Sequence, residues 1–303
     1  MFGSFVRQKP DLEGHGIDPS SAAWTLQASE LYCRDVTRRE AKNFYWGFVA
    51  LPREQRIAIY ALYGFARQVD DAADLPGESC ASDRFVHHHD RLNRCLAGEP
   101  DDPVTQVLSH AIKRYGIPRE DLEALIRGVE SDLSMNRYDT WDDLREYCLL
   151  VASAIGRMCV HIFGFRDSEV FRYADDLGIA MQLANILRDV REDAQMGRVY
   201  LPQEDLEHFG VDERVLCTGQ ADLAWDALVR FEIARARDHF NSGLKVADYI
   251  PRRASVCVFT MAGIYMAILN RLADDPYLPL RQRARVDTRG KIGILLRSCL
   301  QAA

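Results

Sequence analysis

Residues 182–202, QLANILRDVREDAQMGRVYLP, confine four polar side chains to one face of a single helix. Gln182, Asn185, Asp189 and Asp193 follow a three-four-four spacing that stacks them on consecutive turns. Leu183, Ile186, Leu187 and Val190 supply an apolar face beside them. Residues 61–74, ALYGFARQVDDAAD, repeat the device with Tyr63, Arg67, Asp70, Asp71 and Asp74 behind an apolar run. Crowded carboxylates raise one another's pKa unless a cation neutralises them. An oxygen-only donor set suits Mg²⁺, which keeps waters and takes further ligands from substrate phosphates.

Either motif alone also describes a solvated acidic helix end. The neighbours argue otherwise. Each acidic pair has an arginine on or beside its face, Arg67 in the first and Arg188 in the second, and apolar residues flank both. Acids buried without partners are too costly to serve as decoration. Two acidic helices with interleaved arginines read as a metal-diphosphate site.

Helical periodicity runs through the rest of the chain, and no alternating run argues for a sheet. Residues 1–20 read as a loose polar tail, followed by one domain over 21–303. A helix is expected to start near Ser20–Ser21, and another, REQRIAIYALYGFARQVDDAAD, opens after Pro52. Loops are expected at 76–83 and 97–103. Further helices are expected over 104–115, 119–136, 140–163, 168–194, 220–247 and 252–274. The expectation is an all-α bundle.

The chain's 303 residues carry a net charge of −7, which leaves no basic footprint for nucleic acid. Eight cysteines are scattered without a Cys-x-x-Cys pair, so they read as small buried hydrophobes rather than a zinc site or disulfide framework. His87–His88–His89 read as a solvated helix start. The N-terminus lacks the order of a signal peptide, and the expected location is the cytoplasm. Residues 254–269 are apolar for 16 positions, short of a membrane span, and fit a buried core helix.

The two signatures, Tyr63-x-x-x-Arg67-x-x-Asp70-Asp71-x-x-Asp74 and Gln182-x-x-Asn185-x-x-Arg188-Asp189-x-x-x-Asp193 with Gly197-Arg198-x-Tyr200-Leu201-Pro202, resemble those of the squalene/phytoene synthase family. Asn43-Phe44-Tyr45, Leu51-Pro52 and Tyr147-Cys148-x-x-Val151-Ala152-x-x-Ile155-Gly156 add to the likeness, which spans roughly residues 35–300. The resemblance implies an isoprenoid synthase fold that condenses two prenyl diphosphates head to head. It implies Mg²⁺, replaceable by Mn²⁺, on Asp70, Asp74, Asn185, Asp189 and Asp193. It implies catalytic roles for Tyr63, Arg67, Tyr147, Arg188 and Tyr200, with Phe44, Tyr63, Tyr147, Tyr200 and Tyr265 lining the cavity. Asn43, Phe44, Arg67, Gln182, Asn185, Arg188, Arg198, Tyr265 and Arg283 are the implied substrate-binding set.

Among the family's branches, the Phe44-Tyr45-Trp46 opening and the VASAIG segment look most like bacterial presqualene diphosphate synthases of hopanoid and squalene pathways. The expected reaction joins two farnesyl diphosphates. Phytoene synthase, from geranylgeranyl diphosphate in carotenoid pathways, and squalene or dehydrosqualene synthase stand as alternatives, and a non-catalytic assembly protein as the rival of another class. No Gly-x-Gly-x-x-Gly follows a strand, and NADPH is not expected. With lipid substrates, peripheral contact with the inner face of a membrane stays open, without a transmembrane segment. Tyr60 and Phe48 either shorten the tail pocket or fill the core behind it.

Overall fold

The computed structural model describes residues 24–41, 44–74 and 81–302. The tail at 1–20, the expected helix start at Ser20–Ser21, Asn43 and the Asp74 side chain lie outside the described residues. In chain order the helices are α1 (Leu26–Glu40), α2 (Phe44–Phe48), α3 (Arg53–Asp74), α4 (Ala81–Ala97), α5 (Pro103–Tyr115), α6 (Arg119–Ser131), α7 (Trp141–Cys148) and α8 (Ala154–Phe163). They continue as α9 (Val170–Gln195), α10 (Gln203–Phe209), α11 (Arg214–Thr218), α12 (Leu223–Gly243), α13 (Arg252–Asp274), α14 (Leu278–Arg281) and α15 (Thr288–Gln301). No strand forms among the described residues, so the all-α expectation holds.

Prolines and caps explain many of the boundaries. Pro118, Pro202 and Pro251 sit at the N-caps of α6, α10 and α13, and Pro103 opens α5, where its missing N–H costs nothing. Capping boxes at Asp102–Thr105 and Thr140–Asp143 start α5 and α7. Gly116 and Gly210 end α5 and α10 in the left-handed region, at φ 63° and 69°.

Several expectations need correction. The helix expected over 119–136 stops at Ser131, and 132–140 forms a loop. That loop pairs with the segment after α9, where Val199 N–H donates to the Asn136 carbonyl at 2.9 Å. The loop expected at 76–83 gives way to helix at Ala81. The helix expected to begin at 220 starts at Leu223, after the Asp222 cap. Four helices over 203–301 were not anticipated: α10, α11, α14 and α15. His88 is 7% exposed, so the solvated reading fails for that histidine, whereas His87 is exposed and His89 half-buried. Burial pushes the His88 imidazole down to about 4, with Arg91 assisting.

The expected helix over 140–163 is interrupted by a π-helical turn at Leu149–Ser153. Gly178 of α9 permits it, since a Cβ there would lie 2.6 Å from the Ser153 Cα. Trp141–Phe163 and Arg252–Asp274 are both long and apolar enough to cross a membrane by composition, and each is about half buried in the bundle. Both line one internal cavity, together with α2, α3 and α9.

Candidate active site

The empty space between these helices, with the open solvent at its entrance included, is about 1020 Å³. Its walls are Phe44 and Phe48 of α2, Ile59, Leu62, Tyr63 and Ala66 of α3, and Val151 through Phe163 along the π turn and α8. Ala174, Leu177, Gly178, Met181, Gln182 and Asn185 of α9 complete it with Cys257, Val258, Met261 and Tyr265 of α13 and Val246. Apolar side chains make up nearly all of this surface. The polar groups gather at one end.

At that end Asn185 donates to Gln182 at 3.4 Å, and both are buried. The Tyr265 hydroxyl is hydrogen-bonded with Asn185 and Arg188. Phe44 packs 6.3 Å from Tyr63 and 5.9 Å from Tyr265, ring centre to ring centre. Thus Phe44, Tyr63, Gln182, Asn185 and Tyr265 come together as a wall of π faces beneath two amides. One turn beyond Asn185, Asp189 accepts from Arg188 at 2.7 and 2.5 Å and from Arg283 at 2.8 and 2.9 Å. Two guanidiniums therefore share one buried carboxylate. Burial and the Arg188 charge pull the Arg283 pKa down. Glu192, at the rim, lies 3.5 Å from Arg283.

On the facing helix α3, Asp70 is buried and Arg67 bridges to Asp71 at 2.7 Å. Burial lifts the Tyr63 hydroxyl well above its ordinary value.

Tyr147 and Tyr200 do not line the tail cavity, contrary to expectation. They stack on each other, 5.4 Å apart, and Tyr138 packs against both, tilted to Tyr147 at 5.3 Å and stacked on Tyr200 at 5.9 Å. Their hydroxyls donate to the Asp132 carboxylate at 2.9 and 3.1 Å. Burial raises the Asp132 pKa against the pull of Arg198. Asp193 stands in the same acidic group. Burial, then the charge of Asp189, pushes its carboxyl up to about 7, with Arg198 opposing and Asp132 adding to the rise. The physical reason for the split is position: Tyr147 precedes the π turn, and the cavity-lining residues of this stretch begin at Val151, within it.

Sequence reasoning missed Asp132 and Tyr138. Periodicity placed Asp132 inside a helix as one more acid. Its partners lie 15 and 68 residues away, so no local signal marks it.

Comparison with known proteins gives a family. A family model described as squalene/phytoene synthase matches residues 37–290. The 15-cis-phytoene synthase of Synechococcus elongatus is 35% identical over 299 residues, covering 94% of this chain and 96% of the relative. The crystal structure of squalene synthase HpnC from Alicyclobacillus acidocaldarius superposes with a TM-score of 0.79 at 30% identity, covering 86% of this chain and 99% of that one. A dehydrosqualene synthase solved with a ligand gives 0.85 at 29% identity, covering 91% and 97%. The fold, the paired acidic helices and these matches together place the chain in the squalene/phytoene synthase family, the prenyltransferases that join prenyl diphosphates head to head.

Proposed function

We propose that the protein condenses two geranylgeranyl diphosphates head to head, in a Mg²⁺-dependent reaction, to phytoene. The observation that carries the chain length is the depth of the cavity along α9. Its lining positions descend from Asn185 to Ala174. At 1.5 Å per residue, Ala174 lies about 16 Å below Asn185 and about 22 Å below Asp189. An extended prenyl chain advances about 1.25 Å per bond, so a farnesyl tail reaches about 14 Å and a geranylgeranyl tail about 19 Å. The longer tail uses the floor at Ala174, Phe163 and Val246; the shorter one leaves it empty. The near full-length likeness to a 15-cis-phytoene synthase supports the same substrate.

The donor set fits a divalent cation. Asp193 is held near neutrality by burial and by its acidic neighbours, which is the condition a cation relieves. No cluster of three or more His, Cys, Asp or Glu stands ready among the described residues. Mg²⁺ needs none, because it binds through one or two carboxylates and completes its shell with phosphate oxygens and water. Asp70, Asn185, Asp189 and Asp193, with Asp74, would hold it, and Mn²⁺ would substitute. When bound it supplies Lewis-acid stabilisation of the departing diphosphate.

The chain's own residues do the rest. Arg67, Arg188, Arg198 and Arg283 bind the diphosphates. Phe44, Tyr63 and Tyr265 present π faces to the allylic cation and exclude water. Tyr147 or Tyr200, whose O–H is already donated to Asp132, takes the proton lost by the substrate and passes its own to that carboxylate. NADPH has no part in this reading.

Purified protein incubated with Mg²⁺ and each prenyl diphosphate, singly and in competition, is the test, with products identified by mass spectrometry. Phytoene from geranylgeranyl diphosphate is expected. A second reading, two farnesyl diphosphates to presqualene diphosphate, draws on the likeness to squalene and dehydrosqualene synthases. A cyclopropyl product from farnesyl diphosphate alone would favour it. An assembly protein would turn over neither substrate, and Mg²⁺ with a diphosphate analogue would leave its Tm unmoved.

A further inference from the structure

We infer that α15 is a docking surface for an anionic lipid bilayer. The helix is apolar on two sides. Ile294 and Ser298 face inward, and the Ile294 side chain approaches α13 so closely that a Cβ at Gly263 would stand 2.7 Å from it. On the other side Ile292, Leu296 and Leu300 recur every fourth residue and are 42%, 62% and 77% exposed. A helix with apolar residues on both faces is ordinarily buried on both. Here α13 and α2 cover one face, and no described residue covers the other.

Charge identifies the occupant. Residues 281–301 hold six basic side chains and one acid, in a chain whose net charge is −7. Arg281 is bridged to Asp275 and Arg283 to Asp189. Arg285, Arg289 and Arg297 form no ion pair among the described residues and are exposed. Arg289 stands one turn before Ile292 on the exposed ridge, and Arg297 beside Leu296. An isoleucine and two leucines in a row with flanking arginines match a surface of acyl chains below anionic headgroups. A second copy of this chain fits poorly. A two-fold contact through α15 would set the same cations against each other. Because α15 rests on two walls of the cavity, docking brings that cavity beside the lipid phase.

The test uses the full chain and sedimentation with vesicles of phosphatidylcholine, with and without phosphatidylglycerol. Binding is expected only to the anionic vesicles, weakening as salt is added. Arg289→Glu with Arg297→Glu, and separately Leu296→Gln with Leu300→Gln, should each lower the bound fraction at least about tenfold. Melting and turnover of detergent-dispersed substrate should be unchanged in both, because none of these residues reaches the cavity. Failure of wild type to bind, equal binding to neutral vesicles, or unaltered binding by both variants would overturn the inference. So would a dimer in light scattering that the leucine variant dissociates. Turnover is read separately, so loss of the proposed reaction and loss of docking are distinguishable.

Discussion

Asp189 shows how a single carboxylate can mean opposite things in sequence and in structure. Read along the helix, it is one of several crowded acids, and removing it should relieve repulsion. In the fold it holds Arg188 and Arg283 together in a buried site. Asp189→Ala is therefore expected to destabilise the protein by about 3–5 kcal/mol, since it strands two like charges. Asp193→Asn should be neutral or stabilising without metal, because burial and Asp189 already hold that carboxyl at about 7. Urea unfolding in the presence of a chelator checks both signs, and equal destabilisation would refute the assignment. Asp132 belongs to the same scale. Asp132→Asn keeps the shape yet removes the proton acceptor for Tyr147 and Tyr200, so kcat should fall about 10²-fold or more while Tm stays within a few degrees. Parallel loss of Tm and kcat would make it merely structural.

At the scale of elements, α2 and α3 decide which aromatic ring meets the tail. Phe48 lines the cavity, whereas Tyr60 does not. Tyr60 stacks on Tyr45 at 6.1 Å and meets Phe48 edge-on at 6.2 Å, so it stands behind the wall. Phe48→Ala removes a ring from the tail wall, so it should change the preference between the two chain lengths in competition, by about 0.8 kcal/mol for each methylene whose packing differs. Tyr60→Ala should chiefly lower stability, by about 3–5 kcal/mol. A shift in chain-length preference with Tyr60→Ala alone would put the wall in the wrong place. The π turn before α8 acts at this scale too. Across it, one continuous stretch holds Tyr147 against Asp132 and turns Val151 and Ile155 into the cavity.

For the whole molecule, two buried titratable groups shape the dependence of stability on pH. Burial holds the Glu232 carboxyl up at about 8 against the pull of Arg235. Between its unfolded value of 4.5 and about 8 the folded chain keeps a proton that the unfolded chain releases, so stability falls as pH rises through that window. His88 acts on the acid side. From 6.5 down to about 4 only the unfolded chain takes up its proton, and stability falls as pH drops. Glu232→Gln should remove on the order of 3 kcal/mol of the loss between pH 5 and 8. His88→Gln should flatten the limb below pH 6.5. Both are read from unfolding free energies across that range, and an unchanged profile in either variant would refute its part.

Periodicity and punctuation alone determined much of the fold. The 22-residue α3 and the 23-residue α13 are bounded as their apolar spacing and preceding prolines dictate. The spacing of Gln182, Asn185, Asp189 and Asp193 is likewise a property of any helix. Those facts are local, and a sequence carries local information directly. Short helices such as α10, α11 and α14 escaped, because four to seven residues hold too little of a period to declare it. The tertiary structure alone decided that Asp189 is shared by two arginines, that Asp132 gathers Tyr147 and Tyr200, and that Tyr60 stands behind Phe48. Each depends on side chains far apart in the chain arriving at one place, and only the packing of helices sets that distance.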